Sequence, residues 1–273
     1  MRVIVEAADS GGDSIGVNEA VLCSMSWGDQ WRSNAVQISS RMFDLRTIDE
    51  EREERVHARM SDGRDAIARF EQIIRARCEP SGLLDIRRAL SFASGVSYDH
   101  PGLSRGAYLA HPFRIAGWAM MLGDRPDVHI GTIALLHNLY EVSRVQHADI
   151  VQAFDTDVAE AIARLTVDRS RQHQDAYRRR YYRSLHGAGR RVCVVKVLDK
   201  LDNLFLLCLN PDAAVRAVYL QEIENFVVPL AVEYVKECVP YVRALVRRCR
   251  VDEHIPLDRF SLRLNVAATG TLL

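Results

Sequence analysis

The feature that most constrains this chain is the run Ile130-Gly-Thr-Ile-Ala-Leu-Leu136, apolar on nearly every side and followed at once by His137. A helix with no polar face cannot lie on a protein surface, so this segment must be central and wrapped by other elements. Asp127 stands where an N-cap carboxylate would accept the first free amides, and a helix is expected over Val128–Val142. A helix buried this completely needs several others around it, and helical periodicity supplies them. Asp49 caps a charged segment running through Met60. Asp62–Arg77 carries Ile67, Phe70, Ile73 and Ile74 on one stripe. Pro80-Ser-Gly82 breaks the pattern before Leu83–Ala93, and a loop rich in Gly, Ser, Asp and Pro spans Gly95–Ala107. A helix over His111–Gly123 places Pro112 in its first turn, where the missing N–H costs nothing. Ala148–Phe154, Thr156–Leu165, Arg191–Leu209, Ala213–Val228 and Leu230–Arg250, kinked or broken at Pro240, complete the set.

Strand-period alternation is nearly absent and no fixed-period repeat is visible, so the fold class is all-α, a helical bundle in a single domain over residues 46–255. Residues 1–45 contain Ser10-Gly-Gly-Asp-Ser-Ile-Gly16 with little periodicity. They are expected to form a poorly ordered N-terminal extension with one short strand at Arg2–Glu6, and residues 256–273 a C-terminal tail. No Gly-Lys-Ser/Thr follows the glycines, which removes a phosphate-loop reading.

Charge excludes further classes. Lys and Arg number 36, Asp and Glu also 36, and the formal net charge is zero, so no global attraction to nucleic acid or an anionic membrane is indicated. No run approaches the ~20 apolar residues of a membrane span, and Met1–Gly12 has no apolar core of a signal peptide. The six cysteines show no CxxC pairing, and Cys193, Cys208 and Cys238 read as small core residues; a reduced, cytoplasmic location is the expectation. One segment stands apart: Arg169–Arg191 holds eight arginines with Tyr177, Tyr181 and Tyr182 between them. Guanidinium forks and stacking tyrosines suit phosphate or RNA. Overall neutrality favours a solvated amphipathic helix instead, with a middle option in which a few of these arginines border a pocket and contact a pyrophosphate. Nucleic acid is thus disfavoured as a partner, and the oligomeric state, a homo-oligomer included, is open.

Three separated segments carry metal-ligand types on apolar helices: Tyr108-Leu-Ala-His111-Pro112, Ala134-Leu-Leu-His137-Asn138-Leu-Tyr-Glu141, and Val197-Leu-Asp199-Lys-Leu-Asp202-Asn203. His137 and Glu141 are i, i+4, as are Asp199 and Asn203, so each pair is expected on one helix face. Polar groups on such helices are costly to bury unless paired or liganded. Two imidazoles and a carboxylate suit Mn²⁺, Fe²⁺ or Zn²⁺.

These motifs resemble those of the HD superfamily, and most closely the guanosine-tetraphosphate hydrolase domain of the RelA/SpoT enzymes, over about Ile86–Val232. Tyr108-Leu-Ala-His111-Pro112 resembles Tyr-x-x-His-Pro. Ala134 to Val142 resembles Ala-Leu-Leu-His-Asp-x-x-Glu-Asp. Val195-Lys196-Val-Leu-Asp199-Lys-Leu-Asp202-Asn203-Leu resembles Val-Lys-Leu-Ala-Asp-Arg-Leu-x-Asn-Met/Leu. The resemblance implies an HD-domain helical bundle with His111, His137, position 138 and Asp199 as ligands of a divalent metal, Mn²⁺ foremost. Glu141 with position 142 would organise the hydrolytic water. Arg105, Lys196 and Asn203 would contact the substrate, a nucleotide or other phosphorylated small molecule such as (p)ppGpp. Two departures bear on the chemistry: the family's aspartates after the second histidine and after the glutamate are here Asn138 and Val142. The implied function is a metal-dependent phosphohydrolase with a partly degenerate site. The rivals are an inactive domain that binds a nucleotide or a protein, and an interaction module built on the arginine-rich segment.

Overall fold

A computed structural model describes residues 42–60, 63–99, 103–252 and 254–257. The strand expected at Arg2–Glu6, the extension up to residue 41 and the C-terminal tail from residue 258 lie outside them. The described residues form helices and no strands. A single 3-10 turn, Leu45–Thr47, leads into α1 (Ile48–Met60). There follow α2 (Arg64–Arg77), α3 (Pro80–Gly95), α4 (Arg105–Met121), α5 (Val128–Leu136), α6 (Leu139–Val142), α7 (His147–Ala153), α8 (Thr156–Leu165), α9 (Asp175–His186), α10 (Arg190–Phe205), α11 (Ala213–Glu222), α12 (Val228–Tyr234) and α13 (Val239–Val251).

The apolar run behaves as its composition requires. Every residue of α5 from Ile130 to Leu136 is buried, enclosed by α3, α4, α8 and α10. Asp127 caps it, accepting the His129 and Ile130 amides at 3.0 and 3.2 Å. Gly131 lets α5 approach α4, because a Cβ there would overlap the Met120 sulfur. That close approach brings the end of α5 beside the middle of α4, where His111 sits.

Several boundaries differ from expectation, most for a local reason. The stretch expected over Leu230–Arg250 is two helices, α12 and α13, with a 3-10 turn at Lys236–Cys238 between them and Pro240 in the first turn of α13. The helix carrying His111 starts six residues earlier, at Arg105, because Ser104 Oγ accepts the Ala107 amide at 3.2 Å. His111-Pro112 is therefore mid-helix, and Pro112 gives the Tyr108 carbonyl no amide partner. The helix expected over Val128–Val142 breaks after Leu136. Asn138 leaves the helical region (φ −100°, ψ 2°) and α6 is a separate short turn. Pro80-Ser-Gly82 is the first turn of α3 rather than a breaker, with Pro80 where a free amide is not needed. Finally, Ala213–Val228 ends early in a π-helical turn, Ile223–Val227, and α12 takes Pro229 into its own first turn.

Cys193, Cys208 and Cys238 are buried in the core as expected. In the arginine-rich segment, α9 buries Tyr182 and Leu185. Tyr182 stacks on Phe226 with ring centroids 4.8 Å apart, so this tyrosine is used internally. Arg178 and Arg179 pair with Asp175 on the solvent side.

Candidate metal centre

His111 from mid-α4, His137 just after α5 and Asp199 from α10 converge. Their ligand atoms lie within 4.8 Å of one another, a His-His-Asp cluster that can hold a metal ion. The two imidazole rings are 5.3 Å apart, and both Nε2 atoms face the same carboxylate oxygen: His111 Nε2 is 3.3 Å and His137 Nε2 3.8 Å from Asp199 Oδ1. His111 and Asp199 of this cluster line a cavity of about 300 Å³, together with Tyr108, Asn138, Glu141, Arg169, Lys200 and Asn203.

Each ligand type is held from behind. His137 Nδ1 lies 2.7 Å from the Ala134 carbonyl, so Nδ1 carries the proton and Nε2 presents its lone pair. That Nε2 is buried and has no hydrogen-bond partner, an arrangement that costs free energy unless something occupies the space it faces. Asp199 Oδ2 accepts from Lys196 Nζ at 3.0 Å and Oδ1 accepts from Asn203 Nδ2 at 2.8 Å. Burial pushes the Asp199 carboxyl upward, but the Lys196 ammonium and the two imidazoles outweigh it and hold it well below the ordinary carboxylate range. Burial works against the charge of Lys196, yet Tyr181 and Asp199 leave its ammonium raised. His111 is treated the same way: burial lowers its pKa, and hydrogen bonds to Asp199 and Asp202 more than restore it. An orphaned imidazole nitrogen, a second imidazole and an ionised carboxylate, aimed at one point, are a donor set that fits a divalent cation.

The other residues singled out in the sequence are placed less uniformly. Asn138 borders the cavity and its side chain hydrogen-bonds with the Tyr108 phenol. Glu141 also borders it, but both oxygens are engaged: Oε1 accepts the Val167 amide at 2.9 Å and Oε2 accepts Arg169 Nε at 3.1 Å. Because α5 and α6 are separate, the i, i+4 relation to His137 does not fix Glu141; the Val167–Arg169 segment does. Asp199 and Asn203 do share one face of α10, as their spacing requires. Val142 is buried. Arg105 is not brought to the cavity. It is exposed, and its Nε donates to the Val96 carbonyl at 3.2 Å, tying down the loop before α4.

Sequence reasoning passed over Asp202, Arg55 and Arg114. Asp202 is fully buried, hydrogen-bonded to both arginines and to His111. Its place three residues after Asp199 was a usable signal, since i, i+3 residues share a face. Arg55 offered none: it ends the run Asp49-Glu-Glu-Arg-Glu-Glu-Arg55, which reads as solvated surface, yet it is 1% exposed.

The fold is similar to a solved structure described as a metazoan ortholog of SpoT that hydrolyzes ppGpp and plays a role in starvation responses. The TM-score is 0.50 at 19% identity, over 63% of this chain and 96% of that one. No family model and no curated protein matches the sequence. The likeness is one of fold, an all-α bundle, and no helix among the described residues is long and apolar enough to cross a membrane.

Proposed function

We propose that the chain is an HD-type, metal-dependent phosphohydrolase acting on a phosphoester or pyrophosphate bond of a nucleotide, with (p)ppGpp-like alarmones as the substrate class. The observation that carries this reading is the buried, unpartnered Nε2 of His137, facing the carboxylate that His111 also faces. In this reading His111, His137 and Asp199 hold a divalent ion, Mn²⁺ by resemblance, with the Asn138 amide as a weak fourth ligand. When bound, such an ion makes a water more acidic and polarises phosphoryl oxygens.

The chain's own residues supply the rest. Lys196 keeps Asp199 ionised and oriented. Arg169, Arg59 and Lys200 on the cavity wall are the cations that would receive a phosphate. Arg169 is the pivotal one, since its Nε donates to Glu141. A phosphate that draws Arg169 away leaves Glu141 Oε2 free to accept a proton from an attacking water, while Oε1 stays anchored on the Val167 amide. Asn203 stands beside Asp199 at the solvent edge, where a nucleotide would enter. The fold likeness to a protein described as hydrolysing ppGpp supports the substrate class.

A second reading, binding without turnover, is favoured by the same Glu141 pairing together with the neutral Asn138. One experiment separates the two: quantify metal in the purified full chain and assay pyrophosphate release from guanosine tetraphosphate with added Mn²⁺. Bound metal with Mn²⁺-dependent release is expected. Metal without release selects the second reading, and neither metal nor release removes the enzyme altogether.

A further inference from the structure

His137 has its Nδ1 proton fixed by a backbone carbonyl. His111 is served differently. Its Nδ1 lies 2.8 Å from Oδ2 of Asp202, a carboxylate with no solvent exposure. Asp202 is itself locked: Oδ1 accepts from Arg55 Nε at 2.8 Å and Arg114 Nε at 2.9 Å, and Oδ2 accepts from Arg114 Nη2 at 2.7 Å. Arg55 cannot swing away. Its guanidinium lies 4.1 Å from the Phe205 ring centroid and 4.6 Å from that of Trp118, and it pairs with Glu51. The carboxylate therefore offers one oriented acceptor to one ring nitrogen.

We propose that Asp202 is the positioning residue of the metal centre: it accepts the Nδ1 proton of His111 and thereby turns the Nε2 lone pair toward Asp199. This inference rests on the metal reading of the site. A ligating histidine whose other nitrogen donates to a carboxylate is held in one tautomer and one orientation, and its ligand nitrogen becomes more basic. Ion pairing alone would not require His111 in the arrangement, because Arg55 and Arg114 already satisfy both oxygens of Asp202. The geometry is explained when the imidazole is what the carboxylate serves.

Asp202→Asn tests this sharply. Arg55 and Arg114 can only donate, so the single amide oxygen must take the Oδ1 position facing their two Nε atoms, and the amide NH₂ is left facing His111 Nδ1, at the loss of the Arg114 Nη2 hydrogen bond. Nδ1 then becomes an acceptor and the proton moves to Nε2, where it blocks the ligand position; a wrong-tautomer defect of this kind is known from buried carboxylate–histidine pairs in hydrolases. Two readouts are needed. Nitrogen NMR of the metal-free protein, taken at a pH high enough that the His111 ring is neutral, reports which ring nitrogen of His111 carries the proton. Calorimetric titration with Mn²⁺ reports affinity. The expected result is an Nδ1–H tautomer in the wild type, an Nε2–H tautomer in Asp202→Asn, and Mn²⁺ affinity lowered about 10- to 100-fold. The proposal is overturned by an Nε2–H tautomer in the wild type, or by a folded variant whose tautomer and Mn²⁺ affinity are unchanged. If the variant does not fold, the wild-type tautomer decides alone. A wild type that binds no Mn²⁺ would defeat the metal reading, while the tautomer measurement would still judge Asp202.

Discussion

The cavity has two walls of different construction. The inner wall is His111 and Asp199, with the buried His137 clustered against them, carried by α4, α10 and the end of α5, deeply packed helices of the bundle. Each of these side chains has a fixed partner on its far side and an atom aimed inward. The outer wall is Asn138, Glu141 and the Val167–Gln172 connection, built on a broken helix and a loop. There the polar groups satisfy one another: Asn138 with Tyr108, Glu141 with Val167 and Arg169. The inner cluster leaves one buried nitrogen, His137 Nε2, without a hydrogen-bond partner, whereas the polar groups of the outer wall are paired. Both departures from the HD pattern, Asn138 and Val142, belong to the outer side. On the proposed reading, the residues that would hold a metal and those that would handle water can diverge separately, since the first are tied to the core and the second are not.

The comparison breaks most easily at Asp199 and Glu141. Asp199→Ala strands Lys196, an ammonium only 5% exposed, without the carboxylate that holds it. Leaving a buried charge unpaired typically costs about 3–5 kcal/mol, so a large loss of stability is expected together with loss of Mn²⁺ binding. Glu141→Ala should cost about 1 kcal/mol, the scale of a single net hydrogen bond, and leave Mn²⁺ affinity near that of the wild type. Denaturant unfolding and calorimetric titration of both variants check this. Equal losses of affinity would show that the two walls are not separable.

The inner wall was the more legible in sequence, for a physical reason. An all-apolar helix must be buried, so a histidine directly after it is buried too, and the run Ile130–Leu136 placed His137 correctly. The i, i+4 spacing of Asp199 and Asn203 held because α10 is unbroken. The outer wall was misjudged wherever tertiary contacts override local pattern. The stretch from Val128 to Val142 reads as one helix, yet it breaks at Asn138, so spacing alone could not locate Glu141. Pro112 suggested a helix start, but Ser104 caps the chain earlier and the bundle tolerates proline mid-helix. Arg105 was the nearest arginine before His111 in sequence, and a backbone carbonyl claimed it. Arg169, far along the chain in a segment read as mostly solvated, lines the cavity together with Arg55, Arg59 and Arg114.

Restoring the missing carboxylates one at a time sharpens the comparison. Val142 is 3% exposed, and Val142→Asp would bury an uncompensated charge. It is expected to destabilise the chain by about 3–5 kcal/mol and give no gain in turnover. Asn138→Asp sits at the cavity edge in a backbone conformation that aspartate adopts readily, and adds an anionic oxygen beside the cluster. It should raise Mn²⁺ affinity at least about tenfold, equivalent to ~1.4 kcal/mol. Thermal melts and Mn²⁺ titrations of the two single variants would separate these effects. A stable, more active Val142→Asp would mean that position 142 can still be opened to the cavity.

The smallest change probes the joint between the walls. Arg169 is 48% exposed, so its pair with Glu141 contributes less than about 1 kcal/mol to stability, and Arg169→Ala should melt close to the wild type. Its effect on substrate should be larger. If a phosphate takes Arg169 over from Glu141, one charge-assisted hydrogen bond worth about 1.5–3 kcal/mol is lost. KM for guanosine tetraphosphate, or its Kd where turnover is absent, then rises about 10- to 100-fold. Glu141 is already released in this variant, so kcat should hold or increase while KM rises. A fall in kcat at constant KM would place Arg169 in the chemical step instead. No change in either would make the Arg169–Glu141 pair a surface contact that ligand never disturbs, and Glu141 would then belong to the scaffold of the loop.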